Sequence, residues 1–323
     1  MYKLNFIQYP DVNKIEVDET LSLQALNDNA KAEAVIEDLK NRFNFKSLNS
    51  FSFSEDGFLS LMIKLGGKII VSKGESQAII DAAKRYKDLG FDIEFISLKR
   101  NGQLNYDEIK SCDYAFISSY IMDTYVKVDL HKVKELSGAK LISNVSATLD
   151  VNSCDIAVFD AYKLTGFSFS SILLHNEVLE EQYLALIDIT SVSTILKAVE
   201  NFTFKTEYKE DFQIALEEEL KEDIYLFVDS NETLDYTLHF GLKGIKAREI
   251  IRSLALGGIL VTNGEGCSLG LSKPSRVLSE MGYEEHETRW ALSLSFKDEL
   301  TSDEINLIVK AIGKKYRQIK RLS

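Results

Sequence analysis

Cys267 is the residue of this chain whose setting most resembles a reaction site. It lies in VTNGEGCSLGLSKPSRVLSEMG, residues 261–282, among Gly264, Gly266 and Gly270. A lone cysteine is ordinarily a small buried hydrophobe. Here the flanking glycines open backbone conformations closed to other residues, and Pro274 signals a helix start just downstream. Thiolates are favoured near helix N-termini and cations, and Lys273 and Arg276 are close in sequence. The pattern points to a reactive thiol on a loop able to move.

The elements that must position this loop follow from the patterning of the chain. Its 323 residues are 45% hydrophobic and 27% charged, enough for more than one core. The net charge of −12 argues against a nucleic-acid partner. The basic tail KKYRQIKRLS reads as the solvated last turns of a helix, where cations suit the dipole. Cys112, Cys154 and Cys267 are an odd set without paired spacing, so no disulfide framework is expected. With no secretory signal and no apolar run long enough for a span, the expected location is the cytoplasm, with no membrane association.

From Gly67 onward strand-like runs (68–72, 92–98, 114–119, 140–143, 156–159 and 170–175) alternate with helix-like segments such as 76–90 and 129–138. Several strands are apolar throughout, which indicates a mostly parallel sheet covered on both faces. A largely helical stretch follows Asn176. A second α/β group then begins, with strands at 224–228, 236–242, 258–262 and 290–296 and helices at 247–256, 274–281 and 301–319. The last helix opens with a capping-box pattern at Thr301 or Ser302. The organisation read from this is an N-terminal arm (1–30), a large α/β domain (31–205) and a small C-terminal α/β domain (206–323) that carries the cysteine loop.

The segment TNGEGCSLGLSKPSRVLSEMGY resembles the cysteine loop of the NifS-like cysteine desulfurases, in which Cys, Ser, Pro-Ser, Val-Leu and Met-Gly recur in this order. The ending TRWALSLSFKDELTSDEINLIVKAI and the upstream stretch GKIIVS through NYDEI are similar to other parts of that family, so the resemblance covers most of residues 45–315. It implies a class V aminotransferase-like, fold type I α/β protein that binds pyridoxal 5′-phosphate (PLP) as a Schiff base on a lysine. In CDIAVFDAYKLTGFSFSSILLH the family position falls on Lys163. Arg289 matches the arginine that grips the substrate carboxylate, a role suited to its planar fork. Cys267 would take sulfur from L-cysteine as a persulfide and pass it to an acceptor protein. Family members are homodimers, so a homodimer is expected. No metal is implied.

Other family positions are changed. The glycine-rich phosphate loop aligns with SEDGFLS, where Gly57 remains and Glu55 and Asp56 bring negative charge. The serine before the lysine is Asp160, and a carboxylate repels phosphate. The ring-stacking histidine aligns with Ser76, and the histidine preceding the lysine with Tyr162. The aspartate that pairs with the pyridine nitrogen falls on Ser143 or Asn144, either of which weakens the electron sink. Two alternatives therefore stand beside a desulfurase: a PLP-free relative acting as a sulfur relay or binding partner, and a class V enzyme working on another amino acid.

Overall fold

A computed structural model describes residues 1–12, 29–264 and 274–322 of the chain. It begins with β1 (Tyr2–Lys3), followed by α1 (Asn29–Phe43), β2 (Ser47–Phe51), α2 (Glu55–Leu65), β3 (Ile69–Ser72), α3 (Gln77–Asp88) and β4 (Ile93–Ile96). Next come β5 (Tyr114–Phe116), α4 (Leu130–Ser137), β6 (Lys140–Asn144), β7 (Ile156–Phe159), α5 (Ala161–Thr165) and β8 (Ser171–His175). Seven of these strands form one sheet in the order β2-β8-β7-β6-β5-β3-β4. The run from β4 to β7 is parallel, and β8 is antiparallel to both β7 and β2.

Alternation along the strands feeds two apolar layers. Ile69, Val71, Phe116, Ile142, Ile156 and Val158 pack on one face. Ile70, Ala115 and Leu141 pack on the other, where Ala157 and Phe159 extend the layer against α1. A parallel sheet buried on both faces needs apolar residues at every position. That is why these strands read as continuous hydrophobic runs. β2 is a strand the sequence pattern misses, because Ser-Leu-Asn-Ser-Phe contains no β-branched residue.

The remainder comprises α6 (Ile189–Glu200), α7 (Tyr208–Leu220), β9 (Ile224–Tyr225), β10 (Thr237–Leu242), α8 (Ala247–Ala255), β11 (Ile259–Leu260), α9 (Arg276–Glu280), α10 (Glu285–Thr288), β12 (Ala291–Ser295) and α11 (Ser302–Lys320). β10 lies between β12 and β9 in an antiparallel sheet. Phe240, Leu242, Leu292 and Leu294 pack there against Phe212, Ile250 and Ile308 of the covering helices. Two expected strands are shorter than their patterns. Only Ile224–Tyr225 of 224–228 pairs, because Phe227 turns to pack on His239 and Tyr283. Only Ile259–Leu260 of 258–262 forms a strand, and its parallel partner is β1. Thr301 caps α11 with a complete capping box to Glu304. Ser275 caps α9, so that helix starts two residues after Pro274.

Candidate active site

A cavity of about 770 Å³ opens at the carboxyl ends of the parallel strands, lined by Asn144 at the end of β6, Asp160 after β7 and Ser76 ahead of α3. This edge is where open α/β sheets collect ligands, because the chain leaves each strand there into a loop. Lys163 reaches the cavity from α5, a helix of one turn set by its two caps. The Asp160 carboxylate accepts from the Tyr162 and Lys163 amides, and Gly166 closes the helix in the left-handed conformation (φ 78°). Burial pushes the Asp160 carboxyl above its usual range, against the pull of Lys163 and of those two amides.

The Lys163 ammonium donates a 2.5 Å hydrogen bond to the Tyr120 hydroxyl. It also sits 5.1 Å from the centre of the Tyr120 ring. Tyr120 is fully buried and belongs to the turn between β5 and α4. Asn144 is pinned by the Ser146 amide and hydroxyl, both donating to its Oδ1 at 3.0 and 2.7 Å. That fixes the amide so that the oxygen is occupied and the NH2 group is left to donate.

The other positions singled out in the sequence separate into two groups. Ser76 lines the cavity and caps α3 through a bond from the Ile79 amide. Tyr162 lines the mouth and is 41% exposed. Ser143 and Asn144 are neighbours on one strand and face opposite ways: Asn144 lines the cavity, and the fully buried Ser143 faces away from it. Gly57 lies inside α2 behind the lining residues Ser52 and Phe53, and a Cβ there would stand 2.0 Å from the Ser52 carbonyl oxygen. Glu55 and Asp56, expected to crowd a phosphate, are instead both held by Arg85 of α3 at 3.1 and 2.9 Å. The attraction of that guanidinium is the physical reason for the difference. Arg289 ends α10 with its guanidinium on Glu285 at 2.7 Å, and it does not line the cavity. A smaller space of about 50 Å³ behind Lys163 is lined instead by Lys297, whose ammonium pairs with Asp11 at 3.0 Å.

Cys267 lies outside the described residues, but both flanks of its segment are described. Ser275 donates a 2.6 Å hydrogen bond to Asp123, and a Cβ added to Gly264 would meet the same carboxylate at 2.8 Å. Asp123 belongs to the turn that carries Tyr120 and the cavity-lining Met122. The other two thiols are poor nucleophiles, since burial pushes Cys112 up to about 11 and Cys154 up to about 12. Sequence reasoning missed Tyr120, Asp123 and Lys297. None sits in a recognisable motif, and each meets its partner only through the fold.

A mostly parallel seven-stranded sheet with a lysine at its carboxyl edge and a smaller α/β body beside it defines a protein of PLP-dependent transferase fold type I. No protein-family profile matches the chain. It is 21% identical over 297 residues to the cysteine desulfurase IscS of Buchnera aphidicola, covering 80% of this chain and 72% of that protein. Among solved structures, a NifS-like protein superposes with a TM-score of 0.73 at 15% identity, over 97% of this chain and 98% of its own. SspA in complex with cysteine superposes at 0.72 with 14% identity, over 93% and 100%. The chain thus shares the fold of NifS-like proteins and is similar along most of its length to cysteine desulfurases at 21% identity. No helix among the described residues is long and apolar enough to cross a membrane.

Proposed function

We propose that this protein is a PLP-dependent cysteine desulfurase that converts L-cysteine to L-alanine and leaves the sulfur as a persulfide on Cys267. One observation carries the reading. Asp123 bonds Ser275 after the Cys267 segment and lies close against Gly264 before it, in the same turn that holds the Lys163 amine through Tyr120. The two described ends of the thiol-bearing segment and the amine thus meet one short piece of backbone.

The cavity fits the cofactor in size and in donors. Its volume suits a cofactor with a small amino acid. Ser52, Ser76, Ser168, Ser170 and Ser171 supply hydroxyls able to donate to a phosphate, and the free Asn144 NH2 suits a ring-nitrogen acceptor. When bound, PLP supplies the carbonyl that captures an amino group and the conjugated ring that withdraws electrons from it. Lys163 anchors the cofactor, and in its half-buried setting Tyr120 covers one side of the amine. Cys267 attacks the sulfur of the substrate. The S–S bond forms as the C–S bond breaks, and the carbon takes up a proton to become alanine. Arg289 and Lys297 are the two candidates for the substrate carboxylate. The protein acts as a homodimer in a reducing cytoplasm, handing the sulfur to an acceptor protein.

The test is a visible spectrum with and without added PLP, then borohydride reduction and peptide mass mapping. A yellow band fixed by reduction onto Lys163, with alanine and a persulfide formed from cysteine and lost in Cys267→Ala, supports the proposal. Asp160 beside the serines favours a second reading, a PLP-free sulfur relay. A protein that stays colourless but takes a persulfide from a donor protein would favour that reading instead.

A further inference from the structure

The cavity lacks a histidine. His131 and His286 are exposed, while His175 and His239 are buried in β8 and β10, and none of the four lines the space around Lys163. Yet capture of a carbonyl by an amine, and every later exchange of amino groups, requires a proton to leave and return at the lysine nitrogen. The titratable groups facing Lys163 are few. Asp160 caps its helix, Tyr9 and Tyr162 line the mouth, and Asp11 and Lys297 pair across the small space behind it. Tyr120 is bonded to the amine directly.

We infer that Tyr120 is the positioning residue that holds and returns the proton of Lys163, taking the place of a histidine in amine exchange. The inference rests on the functional reading above. A phenol suits the task because its oxygen accepts from an ammonium and its O–H donates to a neutral amine, so one group bonds both protonation states. The turn also keeps it still. The Ile121 amide donates to the Val126 carbonyl, the Tyr125 amide to the Ile121 carbonyl and the Val128 amide to the Ser119 carbonyl. Asp123 and Tyr125 hold positive φ of 64° and 62°, and the Tyr125 ring stacks 6.4 Å behind Tyr120. Tyr120 is not among the cavity-lining residues, so it acts through Lys163 rather than on the ligand.

The bond to the charged amine is charge-assisted and stronger than the bond to the neutral one. Removing the phenol oxygen therefore removes a bond that favours the protonated amine. The experiment is reductive methylation of the full-length apoprotein across pH, with the rate at Lys163 read by peptide mass spectrometry. In Tyr120→Phe the Lys163 profile moves so that methylation at neutral pH is several-fold faster, and the profiles of the other lysines stay in place. An unmoved profile overturns the inference and leaves Tyr120 as packing. Should Tyr120→Phe fail to fold, 3-fluorotyrosine placed at position 120 keeps the shape and weakens the acceptor. The profile must then move the same way by less, and a stationary one overturns the inference. A protein that binds no PLP but shows the shift would refute the functional reading and the exchange role, while leaving Tyr120 as the group that holds the Lys163 proton.

Discussion

The carboxylate of Asp123 accepts a 2.6 Å hydrogen bond from the Ser275 hydroxyl, joining the turn after β5 to the start of α9. Asp123 is 2% exposed and in the left-handed region, which asparagine tolerates well. Asp123→Ala should lower stability by about 1–3 kcal/mol, because it strands a buried hydroxyl. Asp123→Asn should cost much less. The midpoint of urea unfolding measures both, and an unchanged alanine variant would show that the clamp contributes nothing.

Asp160→Ser exchanges a buried carboxylate for a hydroxyl while keeping a side chain able to cap α5. With the anion removed from a cavity proposed to hold a phosphate, affinity for PLP should rise about tenfold or more. Titration followed by absorbance reads this directly. Equal or weaker binding would mean that Asp160 does not face the phosphate.

Glu75 is 1% exposed and bonded to the Ser118 amide and hydroxyl, and burial raises its carboxyl to about 7. The folded state therefore holds this proton more tightly than the unfolded chain does. The contribution to stability is full below about 4.5 and is lost as pH rises through about 7. Glu75→Gln should flatten the melting temperature over that window and raise it at pH 8, as calorimetry at several pH values would reveal.

His175 behaves with the opposite sign. Burial lowers it to about 4, and neither ring nitrogen has a hydrogen-bond partner. Its contribution is present above about 6.5 and is lost as pH falls toward about 4. His175→Leu, which removes no hydrogen bond, should raise the melting temperature at pH 5 and change it little at pH 8. A fall at pH 5 would show that the ring packs better than leucine.

Gly57→Ala should be severe for a single methyl. The added carbon would stand 2.0 Å from the Ser52 carbonyl, so the backbone before α2 must shift. We expect a loss of about 1–3 kcal/mol in unfolding free energy, together with weaker ligand binding, because Ser52 and Phe53 line the cavity.

Much of the large sheet was legible because strands buried on both faces must be apolar throughout, as in Ile69–Ser72 and Ile156–Phe159. β2 was hidden because an edge strand with three polar residues in five has no such pattern. The resemblance pointed to Lys163, Asp160, Ser76, Asn144 and Tyr162, and these line one cavity. It could not locate Tyr120, which lies 43 residues from its lysine and meets it only when β5 and β7 align in the sheet. The acidic character of Glu55 and Asp56 was plain in the sequence. Their capture by Arg85 depends on how α2 packs on α3 and is invisible without the fold.

The pairing of Tyr2–Lys3 with Ile259–Leu260 bears on how the chain is made. The ribosome releases one strand about 250 residues before its partner, so β1 must wait through most of synthesis with its edge unpaired. The large sheet, whose parallel strands pair at shorter separations, can form during that wait. Closure of β1 on β11 then becomes a late step that carries a high loop-closure entropy. A strand pair that forms late is therefore the one that ends four residues before Gly264, at the root of the segment bearing Cys267.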